Sequence, residues 1–132
     1  GLTVEVTMQS GQRQYETEGE PVTRHLAKVK RETTKPAYCL FIAPNINEAC
    51  IAHFYALHKM NISYYGGTST IVPLPLSIFI KMVEDSHKAS YVPEPTHVQR
   101  FFERSNEIAN TTDNEMDWYS GITNEALNWL ND

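Results

Sequence analysis

The sequence predicts a three-layer α/β (α+β) domain, a small mixed sheet flanked by helices, with a helical C-terminal third. Three observations lead there. Segments that alternate with a period of two, or run apolar without a break, are separated by segments of helical period. The resulting order is β-α-β-α-β-α-α-α, so helices intervene between successive strands. Residues 94–132 carry only helical signals. The chain has 132 residues, of which 41% are hydrophobic and 20% charged, so it can bury one core and is not globally disordered.

The first strand covers residues 2–7. Leu2, Val4 and Val6 fall on one face; Thr3, Glu5 and Thr7 fall on the other. Ser10-Gly11 ends it. Pro21 suits a first helical turn, and Val22, Leu26 and Val29 recur beyond it at helical spacing to about Glu32. The alternative is a helix from Gln12 with Pro21 as a kink. Residues 37–43 form a continuous apolar run between Pro36 and Pro44, the pattern of a strand buried on both faces. Asn45, with Glu48 three residues on, starts a helix whose stripe is Cys50, Phe54 and Leu57. Gly66-Gly67 marks a turn, and residues 68–72 are the third strand. Pro75 opens a helix with Leu76, Phe79, Ile80 and Val83 on one face. In the last third, Pro95 begins a helix striped by Val98, Phe101, Phe102 and Ile108. Thr112 with Glu115 signals another, whose stripe of Met116, Tyr119, Leu127 and Leu130 is interrupted at Gly121.

The net charge of −5 is unevenly placed. Residues 1–35 hold six basic and five acidic groups, whereas residues 84–132 hold three and ten. The total therefore does not argue against a polyanionic partner. No secretory signal is visible, and the longest apolar run, residues 71–80, is too short to span a bilayer. Cys39 and Cys50 read as small buried hydrophobes, with a cytoplasmic location following weakly.

The segment with chemical content is residues 2–26. Glu5 projects from a strand opposite the apolar face, and a strand-end carboxylate beside a main-chain carbonyl is a hard-oxygen site suited to Mg²⁺. Glu16, Glu18 and Glu20 follow, close to Arg24 and His25; a solvated acidic helix start explains the same cluster. Glu5-Val6-Thr7, the run from Ser10 through Glu16, and the run from Glu18 through Leu26 resemble the cleavage domain of type IIS restriction endonucleases of the AlwI, PleI and MlyI kind. Related enzymes include nicking endonucleases and heterodimers with a small catalytic subunit. Leu40-Phe41-Ile42-Ala43-Pro44 and Thr70-Ile71-Val72-Pro73-Leu74 extend the resemblance over most of the chain.

That resemblance implies the PD-(D/E)xK nuclease superfamily and its restriction-endonuclease-like core. The implied activity is hydrolysis of double-stranded DNA with Mg²⁺, or Mn²⁺ in its place, one strand per active site. Glu5, the Val6 main-chain carbonyl and Glu18 are the implied metal ligands. Thr7 stands where most of the superfamily has lysine, and His25 is an implied phosphate or water contact. Gln14, Arg24 and Lys28, with Lys30, Arg31 and Lys35, are candidate DNA-phosphate contacts; a solvated helix end accounts equally for the basic run. The superfamily's first acid lies on a preceding strand, so residues 1–132 are expected to be one nuclease domain truncated at its N-terminus, with 94–132 its acidic helical tail. The implied partners are DNA and a second catalytic subunit, a larger recognition subunit or a homodimer, in a bacterial cytoplasm and without a membrane. Two rivals stand beside this reading. One is a degenerate nuclease-fold interaction domain; the other is a metal hydrolase acting on a small substrate.

Weaker signals read as structure. His53 and His58 do not share a helix face, and no Cys-x-x-Cys completes a zinc site. The glycine pair lacks the lysine and spacing of a phosphate-binding loop. Phe101-Phe102 and Trp118-Tyr119 sit at core spacing.

Overall fold

The computed structural model describes residues 1–33, 35–89 and 94–131. Three strands, β1 (Leu2–Val6), β2 (Tyr38–Ala43) and β3 (Thr70–Pro75), form one sheet in the order β1-β2-β3. Around it lie α1 (Gly11–Glu32), α2 (Glu48–Lys59), α3 (Leu76–Lys88), α4 (Pro95–Thr111) and α5 (Glu115–Leu127), with a 3₁₀ turn at Ser63–Tyr65. The α/β layering and element order are those expected. Among the described residues every strand pair is parallel rather than mixed. A helix joins each strand to the next, and such crossovers return the chain in the same direction.

The register sets the two faces of the sheet. Leu2 pairs with Tyr38, Val4 with Leu40 and Glu5 with Phe41. The face that carries Phe41 packs on α2, where Phe41 and Phe54 meet edge to face with centroids 5.2 Å apart. The opposite face carries Tyr38, stacked on Phe102 of α4 at 5.0 Å. β2 is central, and Cys39 through Ala43 are buried, as the unbroken apolar run predicts. β3 is an edge strand, which accommodates Pro73 and Pro75 without losing a ladder bond on the outer side.

Several local expectations shift. α1 begins at Gly11 and continues through Pro21, so Pro21 does not open the helix. An interior proline costs about 3 kcal/mol. Burial of Val22, Thr23, Leu26 and Ala27 immediately beyond it opposes that cost. α2 is capped by Asn47, whose side chain accepts from the Ala49 N–H, rather than by Asn45. Asn114, accepting from the Asp117 N–H, caps α5, while Thr112 closes α4. β3 lies two residues later than predicted because Gly66 and Gly67, with φ of 76° and 104°, extend the turn before it. On α3 the packed residues are Leu76, Ile78, Phe79 and Met82, whereas Ile80 and Val83 are exposed. α5 runs through Gly121, where a Cβ would stand 2.7 Å from Ile108 Cγ2; the glycine permits close approach to α4.

The apolar face of β1 is exposed: Leu2 at 49%, Val4 at 51% and Val6 at 65%. α3 and α4 stop short of it, leaving an apolar groove of about 320 Å³ bordered by Leu2, Val4, Phe79, Met82 and Val98. The polar face of β1 is the one that meets a helix, α1.

Candidate functional site

The site is assembled where the C-terminal end of β1 lies against α1. This is the end of a parallel sheet at which open α/β folds place their ligands. Glu5 and Thr7 project from the same side of the strand, about 7 Å apart. Each meets a different turn of α1. His25 Nδ1 lies 3.1 Å from Glu5 Oε1, and the Nδ1–H tautomer donates that bond. The Thr7 hydroxyl donates to Glu18 Oε1 at 3.1 Å. Glu18 and His25 are seven residues apart, two turns of helix, and so share a face. Glu5 and Glu18 thus line one strip, and the strand holds neither without a partner.

Exposure divides the four residues. The His25 side chain is 58% exposed and that of Glu5 32%. Thr7 is buried, and its main chain continues the sheet through an N–H donated to the Ile42 carbonyl at 3.0 Å. Its hydroxyl also accepts from the Gln9 N–H at 3.1 Å, so Thr7 is oriented from two sides. The other carboxylates of the segment do not join the strip. Glu16 is exposed, and Glu20 pairs with Arg24 on the helix surface at 3.5 Å.

Gln14, a candidate DNA-phosphate contact, lies inside the protein. It is fully buried, and its amide is spent on the protein. Nε2 donates to the Gln9 and Asn45 carbonyls at 2.9 and 2.8 Å, and Oε1 accepts from the Asn47 N–H at 2.7 Å. Lys30 is likewise withdrawn from the basic run: Nζ donates to the Tyr65 and Thr68 carbonyls and to Ser69 Oγ. Burial holds its pKa below the usual lysine range. Lys28, Arg31 and Lys35 remain exposed on or just beyond α1. Sequence reasoning missed the clip made by Gln14, since its partners lie as far away as residue 47.

Among the described residues, no group of three or more His, Cys, Asp or Glu side chains is placed to hold a metal ion. His58 is buried and His53 half-buried, each with a partner inside the fold. His53 Nε2 lies 3.3 Å from Thr23 Oγ1. His58 Nδ1 lies 2.8 Å from the Phe54 carbonyl, and its ring packs edge to face on Trp118 at 4.6 Å. Burial pushes the His58 pKa down from 6.5 to about 4. Between those values the unfolded chain binds a proton that the folded chain does not, so stability falls as pH drops. The loss from pH 7 to 4 is on the order of 3 kcal/mol. His58→Leu is expected to flatten this part of the stability–pH curve, read from urea midpoints at pH 7, 6 and 5. An unchanged acid slope would assign the effect to another group. Cys39 and Cys50 are free and buried, and burial pushes their thiols up to about 12 and about 11, so neither is a ready nucleophile.

Comparison with known proteins adds the following. The family model described as AlwI restriction endonuclease matches residues 1–82. No curated protein sequence matches the chain. Among solved structures, the crystal structure of the small subunit of the heterodimeric restriction endonuclease R.BspD6I superposes with a TM-score of 0.77 at 21% sequence identity. The match covers 94% of this chain and 62% of that one, so the chain spans less than two thirds of the subunit it resembles. At that identity the likeness shows a shared fold. No helix among the described residues is long and apolar enough to cross a membrane.

Proposed function

Because the chain belongs to the AlwI restriction endonuclease family, we propose that it is the Mg²⁺-dependent cleavage domain or subunit of a type IIS-like restriction enzyme. It hydrolyses phosphodiester bonds of double-stranded DNA, one strand per active site. The observation that supports this reading is the seam of β1 and α1, where Glu5 meets His25 and Thr7 meets Glu18. Two carboxylates with the Val6 carbonyl at the strand end are all hard oxygen donors. Mg²⁺ is commonly bound by one or two carboxylates, with waters and substrate phosphate oxygens completing its shell. The donor set therefore fits this ion, with Mn²⁺ able to substitute. When bound, the ion supplies charge neutralisation on the phosphate and a more acidic water.

The chain's own groups have separable tasks. Glu5 and Glu18 hold the metal. Thr7, which the resemblance sets where most of the PD-(D/E)xK superfamily has lysine, orients Glu18 through its hydroxyl and brings no charge. His25, anchored through Nδ1 on Glu5, is exposed enough for Nε2 to take or give a proton beside the scissile phosphate. Lys28 and Arg31 on the outer face of α1, with Arg24 beyond its Glu20 pair, meet backbone phosphates and read no bases. Recognition and the second strand cut require a partner, either a larger recognition subunit or another catalytic subunit. The neighbouring fold, itself the small subunit of a heterodimeric enzyme, supports this arrangement.

Nicking of supercoiled plasmid by the chain together with such a recognition subunit, at 0 to roughly 10 mM Mg²⁺, tests the reading directly. Metal-dependent nicking is expected, with Mg²⁺-induced amide shifts centred on Glu5 and Glu18. No nicking and no shifts at millimolar metal would leave the nuclease-fold interaction domain as the better account.

A further inference from the structure

Gln14 occupies a position that its sequence neighbourhood does not explain. It lies near the start of an exposed polar helix end, between Arg13 and Tyr15, yet it is wholly buried. Burying a primary amide is costly unless its hydrogen-bonding groups are matched. Here both amide N–H donors and the carbonyl find main-chain partners. Two of those, Asn45 and Asn47, lie in the connection from β2 to α2; the third, Gln9, lies in the connection from β1 to α1. One side chain therefore clips together the two loops at the C-terminal end of the sheet.

The clip continues into the carboxylate strip. Gln14 fixes the Gln9 carbonyl at 2.9 Å, and the Gln9 N–H donates to Thr7 Oγ1 at 3.1 Å. With that lone pair engaged, the Thr7 hydroxyl directs its proton to Glu18 Oε1 at 3.1 Å. We propose that Gln14 is a positioning residue for Glu18, holding the carboxylate in place through Gln9 and Thr7. Its role in catalysis rests on the nuclease reading above. Its control of the Glu18 rotamer does not, because it follows from the hydrogen-bond chain alone. Gln14 is buried, with its amide bonded to main-chain groups. It acts by restricting the loop whose N–H orients Thr7.

The surrounding main-chain groups make glutamine specific at this position. Gln14→Glu retains an acceptor for the Asn47 N–H but turns a carboxylate oxygen toward the Gln9 and Asn45 carbonyls, which repels them. Gln14→Met keeps the volume and removes all three bonds. Thr7→Val removes both bonds of the hydroxyl, the one accepted from Gln9 and the one donated to Glu18, while leaving the Gln14 amide in place, and Thr7→Ser restores them. The first readout needs no metal: side-chain scalar couplings of Glu18 by NMR. A single χ1 rotamer is expected in the native chain and in Thr7→Ser, and averaged couplings in Gln14→Met, Gln14→Glu and Thr7→Val. The second readout is cleavage with the recognition subunit. The Mg²⁺ concentration for half-maximal nicking is expected to rise about 10–100-fold in the averaged variants, the range for residues that orient metal ligands, with the KM for DNA unchanged. A folded Gln14 variant that keeps one Glu18 rotamer would overturn the proposal. So would averaged couplings with a native metal requirement, because Glu18 positioning would then not matter to the reaction. If the native chain neither binds metal nor nicks, the nuclease reading fails while the rotamer result still decides the clip. Thr7→Val lies outside the buried amide and reports on the chain even where Gln14→Met does not fold.

Discussion

Glu18→Gln and Glu5→Gln are each expected to abolish Mg²⁺-dependent nicking while leaving the chain folded. The substitution keeps the shape of the side chain. In the Glu18→Gln variant an amide oxygen still accepts from the Thr7 hydroxyl, as Glu18 Oε1 does at 3.1 Å. In the Glu5→Gln variant the amide oxygen still accepts from the Nδ1–H of His25, which meets Glu5 Oε1 at 3.1 Å. What disappears is the negative charge that a hard divalent ion requires. The local structure is thus preserved and the metal affinity removed. The expected stability change is within about 0.5 kcal/mol, as for other partly exposed positions. The activity loss should exceed the roughly 10–100-fold typical of residues that merely orient a metal ligand. Urea midpoints give the first quantity and initial nicking rates the second. A normal nicking rate in both variants would remove these carboxylates from the active site. Loss in Glu18→Gln alone would restrict the metal to the helix-borne acid. Because glutamine keeps both the shape and the hydrogen bonds that alanine would remove, an inactive glutamine variant cannot be attributed to a collapsed strip.

The elements with one dominant cause were legible. Residues 37–43 read as a doubly buried strand because nothing polar interrupts them, and β2 is the central strand. The last third read as helical because Val98, Phe101 and Phe102 stand at i, i+3 and i+4, and both phenylalanines are buried in α4. The start of α2 was less legible: the cap is Asn47 rather than the expected Asn45, two residues on, and Gln14 holds main-chain groups of both. Which face of β1 is covered was not legible either: alternation shows that a strand has two faces, not which neighbours will cover them. In the site, the motif supplied Glu5, Thr7 and Glu18, but only the register of β1 against α1 shows that Thr7 holds Glu18 and His25 holds Glu5. Gln14 was beyond sequence reasoning altogether. Its burial depends on three main-chain groups, two of them more than thirty residues away.

Trp118→Ala is expected to destabilise the fold by about 3–5 kcal/mol, the range for removing a large buried aromatic. Trp118 is completely buried and joins three helices. From α5 its ring packs on His58 at 4.6 Å and Tyr55 at 5.4 Å, both on α2. Its Nε1–H donates to the Ser105 carbonyl of α4 at 3.1 Å. Alanine leaves a void that the neighbouring Ile122 and Ala126, on the same rigid helix, cannot close without moving α5. Trp118→Phe separates the contributions: most of the apolar contact survives, the hydrogen bond does not, and the expected cost is about 1–2 kcal/mol. The same substitution carries a second, independent signature. Trp118 is part of what keeps His58 out of water, and burial is the first cause of its low pKa. In Trp118→Ala water reaches His58, its pKa moves back toward 6.5, and the loss of stability between pH 7 and 5 shrinks. Urea titrations of the native chain and both variants at the two pH values therefore test packing and proton linkage together. A cost below about 1 kcal/mol for Trp118→Ala, well under the range for a cavity in a shared core, would mean that α5 unfolds separately. Unchanged pH dependence would mean that α2, not the tryptophan, keeps His58 dry.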